Sequence, residues 1–514
     1  MKISVEKTLN RKVLFIALDS ATNWIVEDLL AKGELPNLTS LIRTGAYYRM
    51  ESGDLVMSPV IWTSIASGKL PDKHGVKSFF ATAETVKTKR MWDIFEGFGR
   101  SVGIVGYFLT WPPRKVNGFM IPMLLAIDER TYPPEYGFLH KMTVEKKSKQ
   151  SLGIPQLIKL GLTAFKYGVR MSNLLTAGFE TVRGKIVKQD YRDEIYKARV
   201  LKQKIYSDVF IALNKKVKPG LAAFHNHLVD TTSHDFWRYL QPEKFNDVPQ
   251  EDIEKYGDRI YDAYRETDKT LGKILKLRKE GSETLVIVAS DHGAKSMVES
   301  PEIGHTPMIN SEKLMIALGI EQDISYSTVS YFVIVKPRVE SEEARDRLKE
   351  LFLSIEVQES GTPLFTIHKY DDDNIWLRVN QKIQSIENIH IHLGEKNYPV
   401  NEFVRTAGIK VSGTHDGRSA ILVLNGDGVK QGYKSPSHAE AIDVVPTLLT
   451  LMNMPVAKDM DGSVLKDAID EDFLEKHPVK YIDSYDEPDY GSDASADMEV
   501  SQELKDQLKA LGYL

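Results

Sequence analysis

The stretch LVIVASDHGAK, residues 285–295, predicts both the fold and the place of its chemistry. Five apolar residues lead directly into Ser290, Asp291, His292 and Gly293, which is the pattern of a buried strand that ends on an acid and an imidazole. Enzymes with α/β folds present ligands at the carboxyl edge of the sheet. An oxygen donor beside a nitrogen donor at that edge indicates a metal site.

Further strands and helices alternate along the chain. Four other segments are apolar, β-branched or aromatic runs typical of a sheet interior: KVLFIALDS, RSVGIVGYF, GLAAFHNHLVD and SAILVLNGDG. The segment NWIVEDLLAKGELPNLTSLIRTGA has helical spacing, with a stop predicted at Gly33 and Pro36 before a short second helix. This alternation predicts a mostly parallel or mixed central sheet flanked by helices, and we expect an α/β/α sandwich in which the sheet is mostly parallel.

Two stretches do not fit this alternation, and we interpret them as insertions that divide the α/β core into three segments. The predicted order is a first core segment (1–130), a basic helical insertion (131–219), a second core segment (220–335), a small α+β insertion (336–404), a third core segment (405–480), and an acidic tail with a terminal helix SQELKDQLKALGYL (481–514).

Composition limits the possible chemistry. With 514 residues and 42% hydrophobic content, the chain is long enough for a large core and about two to four domain-sized units. Because the chain has no cysteine, disulfides, thiolate zinc sites and cysteine nucleophiles are excluded, so a metal must be held by His, Asp and Glu. The N-terminal residues contain only the short apolar run VLFIAL, so we expect no signal peptide or transmembrane segment and a cytoplasmic location.

Charge is unevenly distributed. Residues 141–220 contain 18 Lys and Arg against 6 Asp and Glu, a local net charge of +12 in a chain whose net charge is -5. Within them, residues 155–188 interleave apolar and basic side chains at helical intervals. One hypothesis is a lid or surface helix that contacts an anionic or lipid surface. The alternatives are a packed cap helix with a solvated basic face, or an arm for homo-oligomer formation, and we expect no specific nucleic-acid binding.

Candidate metal ligands lie at the ends of several predicted strands. They are Asp19, Asp230 with His234 four residues on, Asp291 with His292, and His415 before the strand SAILVL. Each has a simpler interpretation, since an Asp at a strand end can cap a helix and a lone His is usually a packing residue. Together, however, three carboxylates and three imidazoles are enough for two divalent ions with three protein ligands each.

A nucleophile is predicted in the segment LVMSPVIWTSIASGKLPDKHGV, residues 55–76. Ser58 followed by Pro59 is typical of a helix N-cap with proline at the first helical position, and Gly68 predicts the helix end. We therefore predict Ser58 at the positive end of a helix, where backbone N–H groups can hold a phosphate oxygen. Thr63 is the second candidate nucleophile, although it falls more than a turn into the helix. The alternative to a catalytic role is that Ser58 only caps the helix.

His225 and His227 alternate along one predicted strand and therefore share a face of the sheet. We predict that one of them contacts Asp230 and orients its carboxylate without binding the metal itself.

The motifs together resemble the alkaline phosphatase superfamily, and within it the type I phosphodiesterase and nucleotide pyrophosphatase group. The matching motifs, in order, are LDS, SPVIWTSIASGKLPDKHGV, DTTSH, ASDHGAK, GTHDG and AIDVVPTLLTLMNMPVAKDMDGSVL, within residues 12–130, 220–310 and 405–470. The resemblance implies two zinc ions, with manganese as the alternative metal. It assigns Asp19, Asp291 and His292 to the first ion, and Asp230, His234 and His415 to the second. The family nucleophile falls on Ser58, so the resemblance also implies a phosphoserine intermediate.

The sequence departs from some members of this group. Members that cleave nucleotides usually carry an Asn shortly after the HG motif, whereas HGVKSFF offers Lys77 and Ser78, which counts against nucleotide cleavage. The function predicted from sequence is a two-zinc phosphodiesterase. The alternatives are a phosphonate or phosphomonoester hydrolase with the same metals, and a non-catalytic binding protein on this scaffold.

Overall fold

The computed structural model describes most of the chain between residues 8 and 487. The residues that it does not describe in this range are 54–55, 80, 124, 127, 141–153, 187–189, 246–247, 279–282, 298–307, 330–331, 340, 371–374, 381, 384–385, 387, 395 and 406–410. The predicted terminal helix lies outside the described residues.

The strands in the described residues are β1 (Lys12–Leu18), β2 (Ala46–Glu51), β3 (Val102–Val105), β4 (Gly118–Ile121), β5 (Leu221–Asn226), β6 (Thr284–Ala289), β7 (Gly293–Ser296), β8 (Met308–Ile309), β9 (Ile324–Val329), β10 (Phe332–Pro337), β11 (Glu356–Val357), β12 (Thr362–Pro363), β13 (Phe365–Tyr370), β14 (Ile375–Val379), β15 (His390–Leu393), β16 (Lys396–Pro399), β17 (Val404–Arg405), β18 (Gly413–Asp416), β19 (Ala420–Asn425), β20 (Tyr433–Lys434), β21 (Ala439–Glu440), β22 (Val456–Ala457) and β23 (Tyr481–Ile482).

The α-helices in the same residues are α1 (Asn23–Ala31), α2 (Pro36–Arg43), α3 (Ser58–Ser67), α4 (Pro71–His74), α5 (Met91–Gly97), α6 (Ile154–Lys166), α7 (Met171–Ile186), α8 (Tyr191–Val217), α9 (Leu228–Leu240), α10 (Gln250–Tyr256), α11 (Arg259–Leu275), α12 (Ser311–Leu318), α13 (Glu342–Leu353), α14 (Val444–Leu451) and α15 (Glu471–Lys476). None of the described helices is both long enough and apolar enough to cross a membrane.

The described residues divide into two compact units. The first contains those within Met1–Ser233, Tyr256–Ala294 and His415–Glu499, and the second those within His234–Lys255 and Lys295–Thr414. The segment boundaries predicted from the sequence stay a prediction.

The first unit is built on a nine-stranded sheet, counted over the described residues, with the order β20-β2-β19-β6-β1-β5-β3-β4 and with β21 beside β2. Its centre is parallel, since β1 pairs in parallel with β5 and β6, and β3 pairs in parallel with β4 and β5. Every residue of β5 and β6 is buried, which requires covering layers on both faces of the sheet. The predicted α/β fold with a mostly parallel sheet is confirmed, and all five predicted strands lie in it.

Two features of this sheet were not predicted. The segment Ala46–Glu51 forms β2, although its sequence AYYRME is polar at two positions. In addition, β19 is antiparallel to both β6 and β2. The sheet is therefore mixed towards this side.

The second unit contains two four-stranded antiparallel sheets in the described residues, with the orders β13-β14-β10-β9 and β12-β11-β15-β16. Helices α12 and α13 contribute buried residues to the same apolar core as these strands, including Phe352, Phe365 and Leu377. This unit therefore has a hydrophobic core of its own.

Candidate metal centre

The strand directions bring the predicted ligands of the first unit to one edge of the sheet. Asp19 follows β1 and Asp291 follows β6, and these strands are parallel neighbours, with Ala17 opposite Ala289. His415 lies in the short strand β18, just before β19, instead of following a strand of the large sheet. Because β19 is antiparallel to β6, its first residues lie at the same edge as the carboxyl end of β6.

Ser58 begins helix α3 at this edge. β2 also runs antiparallel to β19, so the carboxyl end of β2 points the same way as that of β6, and α3 starts shortly after it. The prediction of Ser58 as the N-cap was wrong by one position: Met57 has extended backbone angles and Ser58 is the first helical residue. The predicted helix end is confirmed, since Gly68 adopts φ 71°, a left-handed conformation that favours glycine.

The Ser58 hydroxyl faces the cluster and the Thr63 hydroxyl does not. Ser58 is fully buried, and its Oγ lies 3.1 Å from Nε2 of His292. Thr63 Oγ1 instead donates a 2.7 Å hydrogen bond to the carbonyl of Pro59, one turn earlier in α3. The helix therefore directs only the first of the two candidate hydroxyls towards the predicted ligands.

One group of possible metal ligands consists of Asp19, Asp230 and His292, whose donor atoms lie within 4.8 Å of one another. His292 Nε2 is 3.1 Å from Asp291 Oδ2 and 3.7 Å from Asp19 Oδ1, so Asp291 adjoins this group. The family resemblance assigned Asp19, Asp291 and His292 to one ion, and the structure brings Asp230 close to Asp19 and His292 as well.

A second group of possible ligands in the first unit includes Asp230 and His415. Asp230 and His234 are separated by one turn of α9, the spacing that puts two side chains on one helix face. His415 Nε2 lies 3.6 Å from Asp230 Oδ1. Asp230 is thus common to both groups.

The three predicted histidine ligands are oriented in the same way. Nδ1 of His292 lies 2.9 Å from the Gly293 carbonyl, Nδ1 of His234 2.9 Å from the Gly413 carbonyl, and Nδ1 of His415 3.2 Å from the Val56 carbonyl. Since a carbonyl only accepts, each Nδ1 carries the proton and donates it, which leaves Nε2 as the acceptor atom of the ring. This is the arrangement that holds metal-ligating histidines in position.

Three buried carboxylates lie close together in this cluster, and their negative charge must be balanced by protons or cations. Asp19, Asp230 and Asp291 are all buried. Burial, together with the Asp291 and Asp230 carboxylates, raises the pKa of Asp19 well above its ordinary value, and burial also raises the pKa of Asp291. Asp19 Oδ1 and Asp291 Oδ2 are buried and have no hydrogen-bond partner among the described residues. Divalent cations would neutralise these carboxylates and occupy these oxygens, so the residues fit the metals that the sequence implied.

Two further histidines adjoin the cluster, and their position differs from the sequence prediction. His227 Nδ1 lies 2.9 Å and His225 Nε2 3.3 Å from Asp19 Oδ2. The prediction placed one of them beside Asp230 instead. The two-residue period of a strand correctly predicted that both rings lie on one face of the sheet. Which carboxylate they face depends on β1 lying next to β5, and a single sequence does not reveal that pairing.

A comparison with protein-family models identifies one family. A family model described as type I phosphodiesterase / nucleotide pyrophosphatase matches residues 13–402. Similar solved structures include human ectonucleotide pyrophosphatase / phosphodiesterase 5, with 12% identity, coverage of 90% of this chain and 100% of that chain, and a TM-score of 0.47. The murine counterpart has 13% identity, the same coverage of both chains and a TM-score of 0.45. A search of curated proteins gave no significant match.

Proposed function

The chain belongs to the type I phosphodiesterase / nucleotide pyrophosphatase family, a family of metal-dependent phosphoric ester hydrolases, and we propose that it cleaves a phosphodiester by attack of Ser58 at a two-zinc site. The observation that carries this proposal is the position of Ser58 Oγ, fully buried and 3.1 Å from His292 Nε2, inside a cluster of carboxylates and imidazoles. The sequence prediction of the family is confirmed by the family match.

In this proposal Asp19, Asp291 and His292 hold one ion, and Asp230, His234 and His415 hold the other. When bound, two divalent ions supply Lewis acidity that lowers the pKa of a nearby hydroxyl and stabilises charge on the ester oxygens. Manganese is the alternative metal, because carboxylate oxygen and imidazole nitrogen also suit it.

Ser58 supplies the nucleophile and its helix supports the phosphate. The hydroxyl loses its proton as its oxygen attacks phosphorus, and the first ester oxygen leaves and takes up a proton. Ser58 is then a phosphoserine that still carries the second ester group. Water then cleaves the new P–O bond and restores Ser58. Because Ser58 is the first residue of the ten-residue helix α3, the backbone N–H groups of the first turn lie where a phosphate oxygen would be stabilised.

We favour a diester that is not a nucleotide as substrate. The HGVKSFF segment lacks the Asn typical of nucleotide-cleaving members, and Lys77 Nζ lies 2.7 Å from Asp72 on the surface. A phosphonate or phosphomonoester hydrolase with the same metals is the alternative enzyme. A non-catalytic binding protein is less consistent with a buried hydroxyl beside buried carboxylates and a buried imidazole.

The test compares bis-p-nitrophenyl phosphate, p-nitrophenyl phosphate and a p-nitrophenyl phosphonate ester with zinc- and manganese-loaded protein. Faster turnover of the diester, with a p-nitrophenyl phosphate group found by mass spectrometry on the peptide that contains Ser58 after acid quenching, would support the proposal. Faster turnover of the monoester or the phosphonate would support the alternative enzymes. Bound metal without turnover of any of the three esters would favour a binding protein.

We also propose that helices α6 and α7 contact an anionic lipid surface. Large apolar side chains on these helices are exposed: Leu157, Ile158, Leu162, Phe165, Met171, Leu175, Phe179 and Val182. Leu162 and Leu175 are 65% and 67% exposed, whereas soluble surfaces rarely gather so many large apolar residues. Lys159 and Lys166 are exposed among these apolar side chains, and their positive charge suits anionic headgroups.

Liposome sedimentation tests the lipid contact. We expect the wild type to bind vesicles that contain phosphatidylserine more strongly than vesicles of phosphatidylcholine, and Leu162→Glu/Leu175→Glu to lose this binding. Val339→Glu is a matched control, since Val339 is 74% exposed in the second unit. Equal binding by all three proteins would contradict the proposal. A wild-type oligomer that the double variant dissociates, without vesicle binding, would instead identify this face as a homo-oligomer interface.

A further inference from the structure

A third group of possible metal ligands, Asp19, His225 and His227, lies beside the two groups that the proposed reaction uses. Its three donor atoms lie within 4.8 Å of one another, and all three residues are buried. His225 lies one residue before the end of strand β5 and His227 follows the strand, so both rings project from the same face. The two rings stack with centroids 3.9 Å apart.

The hydrogen bonds of His227 leave an acceptor facing a carboxylate. Its Nε2 lies 3.3 Å from the carbonyl of Gly106, which can only accept, so Nε2 carries the proton. In a neutral ring, Nδ1 is then an acceptor, and it lies 2.9 Å from Asp19 Oδ2. Two acceptor atoms at this distance need a cation or a shared proton between them.

His225 points to a cation instead of a single shared proton. The ring is fully buried, and neither of its nitrogens has a hydrogen-bond partner among the described residues. Its Nε2 is 3.3 Å from Asp19 Oδ2, the same oxygen that His227 faces. One proton bridging Asp19 and His227 would leave both nitrogens of His225 unsatisfied at a cost of about 1–3 kcal/mol for a buried polar group.

Two of the three donor separations match those around one zinc-sized ion. Zn²⁺ binds imidazole nitrogen and carboxylate oxygen at about 2.0–2.2 Å, so two donors of a tetrahedral ion lie about 3.3 Å apart. The separations of 2.9 and 3.3 Å from Asp19 Oδ2 are close to this value. Asp19 also has a second oxygen for the catalytic cluster, since its Oδ1 is the atom nearer to His292.

Aromatic side chains enclose the histidine pair. The rings of Trp62, Tyr107 and Phe108 have centroids 4.5, 5.5 and 5.4 Å from that of His225, and all three are buried. Because these rings and the two histidines are buried, solvent does not reach the pair. A closed environment of this kind is typical of structural ions, not of ions that must admit substrate.

We propose that Asp19, His225 and His227 bind a third, structural divalent ion of the zinc class, and that Asp19 bridges it to the catalytic cluster. The proposal concerns metal binding and does not depend on the phosphodiesterase reaction. In this role the third ion fixes the Asp19 carboxylate with Oδ1 directed to the side of His292.

The test counts zinc in the full-length protein after removal of metal, reloading with Zn²⁺ alone and desalting. By inductively coupled plasma mass spectrometry we expect three zinc ions per chain in the wild type and two in His225→Leu. His74→Leu is the matched control, because His74 is a buried histidine outside the cluster, and it should keep three. A wild-type count of two, or equal counts in wild type and His225→Leu, would overturn the proposal.

A second measurement covers the case in which His225→Leu does not fold, as circular dichroism would reveal. Crystals of the zinc-loaded wild type should give an anomalous peak between Asp19 Oδ2, His225 Nε2 and His227 Nδ1. Peaks only beside His292 and His415 would overturn the third site. Neither measurement uses hydrolysis, so failure of the third site and failure of the proposed function can be told apart.

Discussion

Replacing Ser58 by Ala should abolish hydrolysis while leaving the metal centre in place. The substitution removes one buried oxygen, which lies 3.1 Å from His292 Nε2, and adds no volume to the packed helix α3. Without this hydroxyl, the covalent route and its positioned nucleophile are lost, and attack must come from a water that α3 does not hold. We expect kcat/KM for the diester to fall by at least about 10³-fold, which is about 4 kcal/mol in activation free energy.

The cost in stability should be much smaller. Loss of the hydrogen bond to His292 corresponds to about 1 kcal/mol, and the zinc content should be unchanged because the carboxylates and imidazoles remain. Thr63→Val is the matched control in the same helix, since its hydroxyl only donates to the Pro59 carbonyl. This variant should lose about 1 kcal/mol of stability and keep its activity within about two-fold.

The assay is steady-state hydrolysis of bis-p-nitrophenyl phosphate by zinc-loaded wild type, Ser58→Ala and Thr63→Val, with zinc content and thermal unfolding measured on the same preparations. The assignment of Ser58 is refuted if Ser58→Ala, with its zinc intact, keeps more than a tenth of the wild-type kcat/KM. A larger loss in Thr63→Val than in Ser58→Ala would instead identify Thr63 as the nucleophile.

Three other perturbations follow from the structure. His415→Ala should lower the zinc count by one and diester turnover by at least about 10²-fold, and an unchanged count by mass spectrometry would contradict its role as a ligand. Burial lowers the pKa of His74 to about 4, below its unfolded value, so its neutral ring stabilises the fold above pH 6.5 and this contribution is lost as the pH falls towards 4. Denaturant unfolding should therefore show wild type losing about 2 kcal/mol more than His74→Leu between pH 7.5 and 5, and parallel pH profiles would contradict this. In Gly293→Ala the new Cβ would overlap Ser419 Oγ and the Ser419 carbonyl. We therefore expect a destabilisation of about 1–3 kcal/mol and weaker zinc binding, because His292 would be displaced. An unchanged melting temperature would disprove the overlap.

Local patterns in the sequence were enough to predict the fold class and the kinds of ligand. The strands at Lys12–Leu18 and Thr284–Ala289 are apolar runs that end on Asp19 and on Asp291 with His292, and both the burial and the ending are visible within a few residues. The absence of cysteine restricted any metal site to oxygen and imidazole donors. The spacing of Asp230 and His234 likewise needs only one helical turn.

Which of these groups meet depends on strand order and direction, and these are visible only in the folded chain. His415 reaches the ligand edge because β19 runs antiparallel to β6, and His225 and His227 face Asp19 because β5 lies beside β1. Strand order and direction arise from hydrogen bonds between segments far apart in the chain, and an apolar run has the same pattern in either direction. For the same reason the strand Ala46–Glu51 could not be recognised from AYYRME alone. Its backbone hydrogen bonds are made to β19 and β20, which lie far away in the chain.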